Sequence, residues 1–194
     1  MADSQKFVGA GSSSNADGYV DWTNKGNIVA DDGAYARVYI KSGSPSYRLI
    51  GSTCGFAIPS GATINGIVLT VKRYSANANM ARDGMVCLRH GNGTASTSDK
   101  ESSAYWPTTA AAADYGSNTD LWGDTWTADE INGSGFGAQL YVMTSSATSM
   151  YAYVDSLKLT VYYTEMSLNG LAQASVESKN GLLIASTKTF NGLG

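Results

Sequence analysis

The strongest constraint on this chain is a recurring alternation of apolar and polar residues, interrupted at intervals by turn residues. In FGAQLYVM, Phe136, Ala138, Leu140 and Val142 fall on one side while Gln139 and Tyr141 point away; in INGIVLTVKRY, Ile67, Leu69 and Val71 oppose Thr70 and Lys72. Successive side chains of a β-strand point to opposite faces, so a period of two marks a strand with one buried face. The longest example is YAYVDSLKLTVYY, residues 151–163. Its odd positions Tyr151, Tyr153, Leu157, Leu159, Val161 and Tyr163 read as the inner face, with Asp155 the exception, and Ser156, Lys158 and Thr160 read as the wet face. Shorter candidates are AYARVYI (34–40), YRLIGSTCGFAI (47–58) and GMVCLRH (84–90), bounded by DDG, KSGSPS, IPSGA and RDG turns.

Only TADEI, residues 127–131, has a helical start: Thr127 as N-cap and Glu130 three residues on, the capping-box spacing, with Asn132-Gly133 ending it after a single turn. Six or more strands with no helix for a βαβ crossover leave an antiparallel sandwich or barrel. The expected architecture is all-β: an antiparallel, jelly-roll-like β-sandwich over residues 18–164, preceded by an N-terminal arm (1–17) and followed by an extended repeat segment (165–194). The 22 glycines, 12 tyrosines and 15% charged residues fit this and match neither a helical bundle nor a disordered chain.

Residues 91–128 are polar and rich in small residues, yet they hold three of the four tryptophans, which argues for an ordered surface loop. Trp122 and Trp126, set near Leu121 and Ile131, are expected to plug the end of the sandwich. Tyr105, Trp106 and Tyr115 are the candidate ligand-binding aromatics, able to stack on a sugar ring or anchor a protein interface, and Trp106-Pro107 is the expected exposed member.

The balance of 13 Lys+Arg against 16 Asp+Glu gives no positive stripe for a phosphate backbone, so a nucleic-acid partner is not expected. No apolar run approaches the roughly 18 residues that would span a bilayer, and no basic-then-apolar segment opens the chain, so neither a membrane partner nor secretion is expected. Catalytic motifs are missing too. His90 is the single histidine, placed at a strand end beside Arg89, and GxSxG, HExxH and GxxxxGK[ST] do not occur. Cys54 and Cys87 lack zinc-site spacing and read as small buried hydrophobes, with a disulfide conceivable only between neighbouring strands. Asp31, Asp32, Asp120, Asp124, Asp129 and Glu130 sit in turns, where aspartate commonly bonds its own backbone; NTDLWGD and ADDG offer calcium-type oxygens without EF-hand spacing. No enzymatic activity, cofactor or resident metal is expected.

The chain closes on a phrase repeated at an eleven-residue spacing: Asn169-Gly170-Leu171, Asn180-Gly181-Leu182 and Asn191-Gly192-Leu193. Asn-Gly supplies the positive φ of a tight hairpin turn, so each unit reads as a turn followed by a short extended run. So small a unit cannot bury its own apolar side chains, and repeats gain stability by stacking on neighbours. These nine residues are therefore assembly candidates, most simply in a homotrimer whose tails wind together.

DWTNKGNIVADDGAYARVYI, GFAIPSGATINGIVLTVKRY and FGAQLYVMTSSATSMYAYVDSLKLTVYYTE resemble a domain that recurs among structural proteins of tailed bacteriophages. The likeness spans most of residues 18–164 and is carried by Trp22, Asn24, Asp31-Asp32-Gly33, Phe56, Ile58-Pro59, Ile64-Asn65-Gly66-Ile67, Phe136-Gly137, Tyr153-Val154-Asp155 and Val161-Tyr162-Tyr163. The Asn-Gly-Leu tail is similar to repeats beside such domains. The resemblance implies a non-enzymatic virion component in head decoration, a collar or a tail appendage, with other virion proteins as partners and assembly in the host cytoplasm; it carries over no catalytic or ligand residue. The alternative is a carbohydrate-binding or receptor-binding module that presents Tyr105 and Trp106 to a host-surface glycan. A hydrolase built on Asp31, Asp32, Asp120 or Asp124 would need two carboxylates about 5–10 Å apart across one cleft.

Overall fold

The computed structural model describes residues 1–15, 20–41, 43–144, 148–168, 171–172, 176–179 and 182–185, with side chains through Met166. Nine strands build the body: β1 (Ala2–Phe7), β2 (Ala10–Ser14), β3 (Ala36–Ile40), β4 (Arg48–Ser52), β5 (Thr63–Ser75), β6 (Ala81–Arg89), β7 (Ala111–Ser117), β8 (Gly137–Thr144) and β9 (Met150–Thr164). A 3-10 turn covers Lys25–Ile28, and the one α-helix among the described residues, α1 (Ala128–Asn132), starts as expected, with Thr127 Oγ1 accepting from the Glu130 amide at 3.2 Å.

The strands form two antiparallel sheets. The front sheet runs β1-β9-β5-β7, and the back sheet runs β2-β4-β8-β6. The long β9 is the spine of the front sheet: β1 pairs with residues 158–163 and β3 with residues 150–154, so the two short strands share one edge of it end to end. Ile67, Leu69, Val71, Leu157, Leu159 and Val161 of the front sheet form one buried core with Leu49, Val86, Leu88, Ala138, Leu140 and Val142 of the back sheet. This is the antiparallel β-sandwich that the alternation predicts. Gln139, expected to point away, is buried as well.

One residue changes the phase of β9. Its register against β5 passes from Lys72↔Ser156 to Arg73↔Val154, leaving Asp155 as the extra residue of a bulge. A slip of one residue moves every following side chain to the other face. Leu157, Leu159 and Val161 point inward on one side of the bulge; on the other side Ala152 and Val154 are inward, and Tyr151 and Tyr153 turn outward. The expected inner placement of Tyr151 and Tyr153 is thereby corrected.

Three strands lie where none was expected. Residues 2–14, read as an arm, form β1 and β2, which join β9 and β4; β7 lies inside the 91–128 segment and pairs with β5. All three are edge strands whose side chains are mostly exposed or half-buried, so backbone pairing places them without an apolar stripe. Conversely, only 48–52 of the 47–58 candidate is strand, because Thr53 (φ 58°) and Gly55 (φ 68°) turn the backbone out of the extended region.

Cys54 and Cys87 are free and buried. Burial pushes the Cys54 thiol up to about 12 and the Cys87 thiol up to about 11, so both stay protonated and unreactive at neutral pH.

Past β9 come two short hairpins, β10 (Ser167–Leu168) with β11 (Leu171–Ala172), and β12 (Val176–Lys179) with β13 (Leu182–Ala185). Leu171 and Leu182 open β11 and β13; Asn169, Gly170, Asn180, Gly181, Asn191, Gly192 and Leu193 lie outside the described residues.

Candidate functional site

The bulge at Asp155 turns β9 so that its first half presents tyrosines to solvent, and antiparallel register supplies the rest. Tyr39 lies opposite Tyr151 across β3 and β9, and Tyr74 lies opposite Tyr153 across β5 and β9. Tyr35, just before β3, completes a row of five. Tyr39 and Tyr151 meet at 4.8 Å between ring centroids, Tyr151 and Tyr153 at 6.1 Å, and Tyr74 stacks on Tyr153 at 4.4 Å with planes 4° apart. Tyr35 stands edge-on to Tyr74 at 5.2 Å and to Tyr153 at 6.0 Å. Tyr39 and Tyr151 are 43% and 40% exposed, while Tyr35, Tyr74 and Tyr153 are half-buried.

These rings form a platform fixed at three adjacent strands, each held by its neighbours. Ring pairs of this geometry contribute about 0.5–1.5 kcal/mol each beyond area burial, so the surface is preorganised. Tyr74 lies in a medium that disfavours its phenolate: partial burial, then the neighbouring Tyr153 and Tyr35, push its ionisation upward. Tyr74, whose ring stacks on Tyr153, therefore presents a neutral hydroxyl at physiological pH.

Charged groups rim the platform. Arg37, on the outward face of β3 between Tyr35 and Tyr39, lies opposite Tyr153. Lys72, two residues before Tyr74 on β5, bridges Asp31 and the fully buried Asp155, at 2.9 Å from Asp155 Oδ2. The bond from Lys72 holds Asp31 below the usual carboxylate range, and the two carboxylates hold Lys72 protonated. Asp155 Oδ1 also accepts from the Gly33 amide at 3.0 Å, tying the Asp31-Asp32-Gly33 turn to the bulge.

The aromatics singled out in the 91–128 segment fare differently. Tyr105 is 47% exposed, but Trp106 is 1% and Tyr115 6% exposed, and this corrects the expectation that Trp106 lies open for stacking. The reason is a buried polar clasp. Asp83 on β6 ion-pairs with Arg73 on β5, so the carboxylate crosses from one sheet to the other. Asp83 Oδ1 accepts from Trp106 Nε1 at 2.8 Å; Oδ2 accepts from the Tyr115 hydroxyl at 2.7 Å and the Ser102 amide at 3.0 Å. The Arg73 guanidinium lies 4.7 Å from the Trp106 ring centroid and 5.3 Å from that of Tyr115. Burial, reinforced by the Asp83 carboxylate, holds the Tyr115 phenol protonated far above its ordinary range. Trp106 and Tyr115 are thus brought together, as pillars of an internal ion pair.

Trp122 and Trp126 are buried as expected, with Nε1 of each donating to the backbone carbonyls of Ile67 and Leu121 at 2.8 and 2.9 Å. His90, just past β6, stacks on Trp126 at 4.3 Å and bonds Glu130 Oε1 at 2.7 Å through Nδ1 and Asp124 Oδ2 at 3.4 Å through Nε2. The remaining candidate carboxylates have local partners. Asp32 accepts from the Ala34 amide at 2.9 Å. Partial burial opposes ionisation of Asp120 and Asp124, but Lys100 and the Trp122 amide outweigh it at Asp120, and Thr97 and His90 at Asp124, so both lie below the ordinary range. Asp129 and Glu130 occupy the first turn of α1. The turn role that the sequence suggests holds for Asp32 and Asp120, each of which accepts from the amide two residues on, whereas Asp124 accepts from Thr97 and meets His90 instead.

No family model matches the chain, and no curated protein matches it. Among solved structures it is similar to an exo-beta-agarase (11% identity, TM-score 0.39, 80% of this chain and 24% of that one) and to the CBM22-1 xylan-binding domain from Paenibacillus barcinonensis Xyn10C (10% identity, TM-score 0.38, 82% and 94%). It is also similar to the enzymatically active domain of tailspike protein 4 of bacteriophage CBA120 (8% identity, TM-score 0.36, 84% of this chain and 19% of that one). The chain thus spans about a quarter or less of the agarase and tailspike chains.

Proposed function

We propose that this protein is a non-catalytic carbohydrate-binding domain that holds its ligand on the tyrosine platform of the front sheet. The observation that carries the reading is the contiguous, half-exposed row Tyr35, Tyr39, Tyr74, Tyr151 and Tyr153 on three paired strands. A pyranose has an apolar C–H face and a hydroxyl rim, and a tyrosine offers it both a flat apolar ring and a hydrogen-bonding tip. Contiguous exposed apolar surface marks an interaction site, and rigid rings lose little entropy when they bind. This replaces Tyr105 and Trp106 of the earlier expectation with residues on the sheet itself.

Affinity electrophoresis through gels cast with a panel of soluble polysaccharides tests the reading. The wild type should be retarded by at least one polymer, and Tyr39→Ala/Tyr151→Ala, which removes the two most exposed rings of the platform, should lose most of that retardation. Equal mobility of the two proteins in every retarding gel would refute the assignment.

A second reading, that the domain is a component of a phage particle joined to other copies or virion proteins through its Asn-Gly-Leu tail, draws support from the hairpins β10–β11 and β12–β13. Among the described residues each forms a separate two-stranded sheet, and an isolated two-stranded hairpin is at best marginally stable in water. In this reading the tails gain their missing contacts in a trimer. Light scattering should then give a threefold mass that falls to the monomer when the chain stops after Thr164; a monomer in both cases would contradict a self-assembled trimer.

A further inference from the structure

We infer that the platform recognises a carboxylate-bearing sugar, with Arg37 as the residue that reads the charge; this rests on the glycan-binding reading above. Arg37 is exposed on β3, flanked on its own strand face by Tyr35 and Tyr39 and lying opposite Tyr153. Its side chain makes one bond among the described residues, a long 3.4 Å contact from Nε to the hydroxyl of Thr23.

Most neighbouring cations are committed elsewhere, and Lys41, exposed just past β3, offers a point charge rather than a planar fork. Lys72 bridges Asp31 and Asp155, Lys25 pairs with Asp21 at 2.8 Å, Arg73 is buried on Asp83, and Lys100 pairs with Asp120 at 2.7 Å. Arg37 thus keeps a guanidinium with no anionic partner among the described residues, at the β3 edge of the aromatic surface. A guanidinium presents its donors as a rigid planar fork, which matches the two oxygens of a carboxylate, and charge-assisted bonds of this kind are roughly twice as strong as neutral ones. A neutral sugar would meet that fork only with hydroxyl acceptors, in weaker bonds than a carboxylate makes. A uronate whose ring lies on Tyr39, Tyr151 or Tyr153 would bring its carboxylate to it.

The test uses the full chain and three polymers, polygalacturonate, alginate and hyaluronan, each as the native polyanion and after reduction of its carboxyls to neutral hydroxymethyl groups. Chondroitin sulfate, with sulfate esters beside its carboxylates, is a fourth probe. Wild type should bind at least one native uronate polymer about tenfold or more tightly than its reduced form, the scale of one charge-assisted hydrogen bond. Arg37→Gln should remove that preference, lowering affinity for the native polymer far more than for the reduced one, and Arg37→Lys, which keeps the charge and loses the fork, should fall between. Because Arg37 is exposed, an unchanged melting temperature checks the fold. Equal binding of native and reduced polymers, unaltered in Arg37→Gln, would overturn the carboxylate inference and leave the platform standing. Retention by chondroitin sulfate alone would overturn it in favour of a sulfate ester. Binding of no polymer, native or reduced, in this test or on the wider panel, would bring down both readings.

Discussion

Asp83→Ala is expected to destabilise the fold by about 3–5 kcal/mol, the cost of leaving one member of a buried ion pair without its partner. Arg73 and Asp83 are both buried, one on each sheet, and the carboxylate also accepts from Trp106, Tyr115 and the Ser102 amide. Its removal leaves a guanidinium and three donors without their acceptor inside the sandwich. For a chain of this size the loss corresponds to a fall of roughly 10 °C in melting temperature. Asp31→Ala makes the contrast, since the Lys72–Asp31 pair is open to water on the carboxylate side, and its effect should be far smaller. Thermal and urea unfolding of both variants measures this, and a cost for Asp83→Ala no greater than that for Asp31→Ala would show that the clasp is not the internal cross-brace described here.

Trp122→Ala is expected to cost a comparable amount, about 3–5 kcal/mol, as is usual when a buried aromatic is truncated and its cavity only partly collapses. The ring is fully buried, its Nε1 donates to the Ile67 carbonyl at 2.8 Å, and its own backbone sits at φ 59° with the amide bonded to Asp120 Oδ1. The fit is tight enough to dictate a neighbour. Gly116 has φ 80°, and a Cβ there would stand 2.7 Å from Trp122 Nε1 and collide with the Ile67 carbonyl. Trp122→Phe, which keeps most of the volume and gives up the hydrogen bond, should cost about 1–3 kcal/mol, the penalty of one unsatisfied buried carbonyl. Equilibrium urea denaturation separates the two, and similar losses for both would mean that the hydrogen bond rather than the packing dominates.

The parts of the fold legible in the sequence are those where one strand face is packed and the other wet. The alternation of the central part of β5 maps directly onto burial, and that of β8 does so apart from the buried Gln139, because each of these inner strands turns Ile, Leu or Val to a single core. The Thr127 cap could be read because its hydrogen bond is local. The edge strands β1, β2 and β7 could not, since ADSQKF, AGSSS and AAADYGS hold their places through backbone bonds to strands far away in sequence.

The candidate site was missed for a related reason. Tyr151 and Tyr153 continue the odd-numbered phase of Leu157 and Leu159, and only the bulge at Asp155 reverses them. A signal was present: the polar pair Asp155-Ser156 interrupts the pattern, and Ala152 and Val154 offer a second apolar phase. Tyr35, Tyr39 and Tyr74 belong to other strands, and only register gathers them. Trp106 looked exposed beside Pro107 because nothing local announces that its indole N–H ends on Asp83, 23 residues upstream.

The central claim, that the tyrosine face of the front sheet is the ligand surface, is tested most directly by following the tyrosine ring resonances of the isotope-labelled protein. Oligosaccharides of whichever polymer retards the protein would be titrated in. The account predicts that Tyr39, Tyr151, Tyr153 and Tyr74 shift together with a single binding curve while Tyr105 stays in place. Shifts confined to Tyr105 and its surroundings, with the platform rings unmoved at saturation, would contradict it.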